Sequence, residues 1–155
     1  MSLIQQFQEI RRDGKVVDES MTGLDMIRAG WAPDKVLVLR WMYSDRLIEL
    51  RSPFGLLSRI VATREYIVVL EDTDAGGQYT TLTTYQPDGT PHMTFQNIMP
   101  INNQPEAGIF ASFRSPESSV PTAFSVLFDV YRNGGRFQME IDAVTGDVLG
   151  AHEVH

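Results

Sequence analysis

The sequence has no cysteine among its 155 residues. This excludes disulfides, thiolate nucleophiles and cysteine-ligated zinc or iron–sulfur centres. It has no apolar run of the roughly 18 or more residues that a spanning helix needs, and no basic-then-apolar segment opens it. The expected compartment is therefore the cytoplasm, with no membrane partner. Basic residues are scarce: 13 Lys and Arg stand against 20 Asp and Glu, a net charge of −7. Neutralising phosphates takes a basic face, so the balance argues against nucleic acid as a partner. No Gly-x-Gly-x-x-Gly, P-loop or Gly-x-Ser-x-Gly pattern occurs, and Gly76-Gly77 and Gly134-Gly135 read as turn glycines.

What is present suits a globular chain, with 43% hydrophobic and 21% charged residues. The length suits a single domain over 1–155, with a helical start over 1–32 and a strand-rich remainder over 33–155. Leu3, Phe7 and Ile10, with Ile4 beside them, follow helical spacing, with Ser2 to cap the start and Gly14 to end it. A second helix over 19–29 would turn Leu24 and Ile27 inward and stop at Gly30, although Gly23 weakens it.

Beyond Pro33 the period changes to two. Strand patterns cover 36–42, 46–51, 57–62 and 66–70, the third of these of uncertain type. Four threonines and two tyrosines between Tyr79 and Tyr85 suit a half-exposed pleated surface. Pro87-Asp88-Gly89 turns that run back into 92–96, because proline presets φ and glycine accepts a positive one. Residues 98–106 read as an irregular loop with exposed apolar groups, followed by a strand over 108–114 and a loop over 115–121. Residues 123–132 fit a helix face or a strand face. Strand is favoured because Asn133-Gly134-Gly135 suits a hairpin and 136–142 alternates strictly beyond it. The predicted fold is α+β: one or two N-terminal helices and a mainly antiparallel sheet of roughly eight short strands. The stretch from Ile141 to Leu149 resembles the closing hairpin of PepSY-type domains, over under a tenth of the chain, and carries no family assignment.

Each candidate for chemistry has a plainer reading. Asp72-Thr73-Asp74-Ala75-Gly76-Gly77 starts like a calcium loop, but Gly76 and Thr83 fill the positions where an EF-hand needs an oxygen side chain and a Glu. His152 and His155 would share a metal only on a helix, and no third ligand is evident. No metal and no cofactor are expected. His92 is the weak catalytic candidate, with Asp88 to orient it, but no serine stands in a nucleophile's context. Glu140 and Asp142 project from one face of a strand as a glycosidase pair would. Arg136 and Gln138 share that face, so a solvated stripe is preferred. Trp31, Trp41 and Tyr43 read as core and rim aromatics.

The charge is unevenly spread. Residues 1–60 carry nine basic and eight acidic groups, and residues 61–155 carry four and twelve. No Lys or Arg stands between Glu65 and Phe113. This asymmetry favours a non-enzymatic acidic interaction module, immunity- or neutraliser-like, that binds a basic protein partner. Asp72, Asp74 and Asp88 would steer that partner, with Met99 and Ile101 supplying the apolar contact. A small-molecule binding domain with an apolar cavity is one alternative, and an enzyme with a dispersed site around His92 is another.

Overall fold

The structure is a computed structural model that describes residues 3–73 and 75–155. The cap assigned to Ser2 lies outside the described residues. The first expected helix is instead strand β1 (Gln5–Arg11), paired with the short β2 (Val16–Asp18). The cause is a bulge. Gln6 takes φ +52° and the register breaks between Gln5 and Gln8, so Ile4 and Phe7 are both buried although they stand three apart. An extra residue in a strand thus imitates helical spacing. The second helix shrinks to α1 (Gly23–Arg28), closed at its start by a reciprocal Thr22–Asp25 capping box. None of its residues is buried, and Leu24 and Ile27 point to solvent rather than inward. The chain is nearly all β, with 57% strand and 4% helix, which overturns the α+β expectation.

The remaining strands are β3 (Val36–Tyr43), β4 (Arg46–Ile60), β5 (Ile67–Glu71), β6 (Thr81–Tyr85), β7 (Pro91–Gln96), β8 (Ile98–Ile101), β9 (Gln104–Arg114), β10 (Ala123–Val130), β11 (Arg136–Asp142) and β12 (Val148–Val154). Seven strands form one sheet in the order β2-β1-β3-β4-β5-β6-β7, and five form another in the order β12-β11-β10-β9-β8. Every pairing is antiparallel, including the hairpin around Pro87-Asp88-Gly89, where Thr83 lies opposite Thr94. The segment left open between helix and strand is β10. Residues 98–106 are not an irregular loop but the β8–β9 hairpin.

β4 bends. Its first half pairs with β3 up to Arg51 opposite Val38, and its second half resumes at Leu56 opposite Val36 before pairing with β5. Gly55 sits in that corner at φ +135°, a conformation closed to residues with a Cβ. The bend lets the seven-stranded sheet curl over itself. The amide of Ile4 bonds to Arg64 O at 3.1 Å, and Trp41 Nε1–H donates to Pro87 O at 2.6 Å. Two apolar clusters result. Ile4, Phe7, Leu39, Trp41, Ile67 and Val69 fill the inside of the curl. Val68, Leu70, Leu82, Met99, Phe110, Phe124, Phe128, Met139 and Ile141 fill the space between the sheets. β5 feeds both clusters because neighbouring side chains face opposite sides, which explains its unbroken apolar run. Each large side chain buried in this way contributes about 1.5–3 kcal/mol. Among the described residues no helix is long and apolar enough to cross a membrane.

Candidate partner-binding surface

The β8–β9 hairpin carries the clearest exposed apolar face. The sequence Ile98-Met99-Pro100-Ile101 alternates, and its parity is opposite to the one expected. Met99 and Ile101 are 2% and 6% exposed and pack in the core, while Ile98, at 54%, and Pro100 face water. Ile98 lies opposite Ala107 and Pro100 opposite Pro105, all four exposed, so they form one outward strip. Tyr131, also exposed, joins it by donating its backbone N–H to Ala107 O at 3.0 Å. The hairpin is anchored at its root, where the Asn97 side-chain amide donates to Gly108 O at 2.9 Å. A Cβ on Gly108 would stand 2.1 Å from Asp129 O, so only glycine lets β9 lie this close to β10.

Charged groups lie on the other face of the hairpin, where Glu106 stands opposite Met99. Arg132 donates through Nη2 and Nε to the two oxygens of Glu106 at 2.8 and 3.3 Å, and this bond to Glu106 raises its already high pKa further. Beyond that pair a cavity of about 210 Å³ opens between the β8–β9 turn, the β10–β11 turn and β12. Its floor is Ile101, Val130 and Phe137, and Glu153 stands at its rim. An exposed apolar strip of this kind is a common element of a protein-contact surface.

The residues singled out from sequence are not gathered here. Asp72 is 2% exposed; it accepts the Gly77 N–H at 2.8 Å and lies 4.0 Å from Lys35 Nζ, which organises its own loop. Asp74 lies outside the described residues. Asp88 accepts the Thr90 hydroxyl and N–H, bonds that hold its carboxyl below the ordinary value. Asp72 follows β5 at the Glu71–Thr81 end of its pairing with β6, and Asp88 lies past Tyr85, so the two stand at opposite ends of that strand pair.

His92 Nε2 lies 2.8 Å from Val144 O, and its ring packs on Tyr66 at 5.0 Å. The histidine therefore clamps β7 to the β11–β12 turn, with no contact to Asp88. His152 lies 3.9 Å from Glu117, and among the described residues no three His, Cys, Asp or Glu side chains converge as metal ligands. Glu140 is not solvated as expected. It is 6% exposed and accepts the Glu117 N–H at 2.6 Å from a loop lying over the sheet. Asp142 accepts the Thr122 hydroxyl at 2.7 Å. Trp41 is core, while Trp31 lies under Arg11 and Lys15.

Sequence reasoning missed Ile98, Pro100, Tyr131 and Glu153. One signal would have found the hairpin. Asn102 and Asn103 both adopt positive φ, +52° and +63°, as a two-residue primed turn demands, and Asn is among the residues that tolerate it.

No family model matches the chain, and no curated protein does. A solved structure described as Tne2 in complex with Tni2 contains a chain to which this one is similar. The TM-score is 0.94 and the identity 33%, over 99% of this chain and 100% of that one. The neighbour is thus part of a protein–protein complex, which is compatible with a partner-binding role.

Proposed function

We propose that this chain, which belongs to the same family as the chain it matches in the complex of Tne2 with Tni2, is a non-enzymatic module that binds and neutralises a basic protein partner. The observation that carries the reading is the full-length match to one member of a two-protein assembly. The outward strip of Ile98, Pro100, Pro105, Ala107 and Tyr131 supports it by supplying exposed apolar contact area. The net charge of −7 supports a basic partner, because opposite charge speeds diffusional encounter. Exposed carboxylates such as Glu153 carry that steering, since Asp72 is spent on its own loop. A cytoplasmic location belongs to the same proposal.

The test begins by cross-linking the chain in its host and identifying the protein it holds. Binding is then measured for the wild type and for Ile98→Asp/Tyr131→Ala. The expected result is a complex that the double substitution weakens by tenfold or more (about 1.4 kcal/mol), with an association rate that falls as salt is added. A complex indifferent to the substitutions and to salt would overturn both the surface and the charge argument.

A further inference from the structure

We infer that the cavity between the β8–β9 turn, the β10–β11 turn and β12 receives one lysine or arginine side chain of the partner. The inference rests on the partner-binding reading and adds the chemistry of the anchor. The cavity opens on the other face of the same hairpin: Ile101 and Glu106 line it, and they alternate with Pro100, Pro105 and Ala107 of the outward strip, so strip and cavity flank the hairpin on its two sides. Its floor is apolar: Ile101 and Val130 are 6% and 3% exposed, with Phe137 beside them. Its rim holds three charged groups, and two of them are already matched, since Arg132 occupies both oxygens of Glu106. The remaining one is Glu153. Among the described residues it has no ion pair, and its Oε2 lies 3.7 Å from the point a Cβ on Gly135 would occupy. An aliphatic stem laid on Ile101, Val130 and Phe137 with a cation at Glu153 uses the long amphipathic side chains as they are commonly used. An anion is disfavoured, because Arg132 is neutralised in place. A wholly apolar anchor would leave the Glu153 carboxylate desolvated and unpaired.

The probes are N-acetyl-arginine methylamide, its neutral isostere N-acetyl-citrulline methylamide, and N-acetyl-norleucine methylamide, titrated against the full chain while backbone amide shifts are followed. The arginine probe is expected to shift the amides of Asn133, Phe137 and Glu153 along saturating curves. Glu153→Gln should weaken it by about threefold, the scale of an exposed ion pair. The citrulline probe should bind more weakly than arginine to the wild type and equally to Glu153→Gln. Equal binding of arginine and citrulline to the wild type, stronger binding of norleucine, or no shift at these amides would each overturn the inference. The two readings fail separately. A natural complex sensitive to Ile98→Asp, together with an arginine probe that ignores the cavity, removes the anchor and leaves the partner-binding surface.

Discussion

Ser125 and Glu140 face each other across β10 and β11, both buried, and Ser125 Oγ and Glu140 Oε2 each lack a hydrogen-bond partner. The other Glu140 oxygen accepts the Glu117 N–H, and among the described residues no cation lies within salt-bridge distance of the carboxylate. A buried charge without a counter-ion is costly, and a polar atom left unbonded adds to that cost.

Glu140→Gln should therefore stabilise the fold. Its amide keeps an acceptor for Glu117 and gains a donor for Ser125, while the unpaired charge disappears. The expected gain is about 1 kcal/mol in urea unfolding at neutral pH. A loss of that size would show that the ionised carboxylate is itself needed there.

The two parities of the β8 strand predict opposite mutational outcomes. Met99→Ala opens space between the sheets and should cost about 2–5 kcal/mol. Ile98→Ala on the exposed strip should leave stability within about 0.5 kcal/mol. Comparable losses for both would contradict the register in which Ile98 faces Ala107.

Two glutamates near the N-terminus pull stability in opposite directions with pH. Burial raises the Glu9 carboxyl above its ordinary 4.5. The unfolded chain then ionises first, and stability falls as pH rises above 4.5. Arg64, bonded at 2.7 and 3.0 Å, lowers the Glu19 carboxyl below the same value. Its contribution is present above 4.5 and is lost as pH falls through the folded value. Glu9→Gln should raise the urea midpoint at neutral pH and flatten its decline above 4.5. Glu19→Gln should lower the midpoint at neutral pH and converge on wild type in acid. Parallel curves for either variant would refute the assigned cause.

Gly146 closes the β11–β12 turn at φ +79°, where an added Cβ would stand 2.6 Å from the end of Met93. Gly146→Ala should cost about 1–2 kcal/mol through backbone strain. Because the methionine tip is flexible, Met93→Ala should recover little of that loss. Full recovery would make the clash, not the dihedral, the cause.

Where the sequence was legible, local chemistry decided the outcome. Pro87-Asp88-Gly89 marks its turn by residue type alone, and Asn133-Gly134-Gly135 does the same before β11. The N-terminal strand was illegible because the bulge at Gln6 shifts the pattern by one residue. The face carrying Gln138 and Glu140 looked solvated because nothing in its own residues says that a loop 20 or so positions away crosses it. The acidic residues between Glu65 and Phe113 are near in sequence, yet Asp72 and Asp88 end up at opposite ends of β6. Composition reports charge, but only topology says where it gathers.

The strand order also sets the course of self-assembly. From β3 to β7, and again from β8 to β12, each strand pairs with its immediate successor, and only β1 reaches past a neighbour to meet β3. Loops this short cost little closure entropy, which places the chain at the rapid end for an all-β topology. During synthesis the curled sheet can zip up hairpin by hairpin while the ribosome is still extending the later strands. Its inner cluster draws on no residue beyond Tyr85. The cluster between the sheets instead waits for Phe124, Met139 and Ile141, so its consolidation follows the synthesis of β10 and β11.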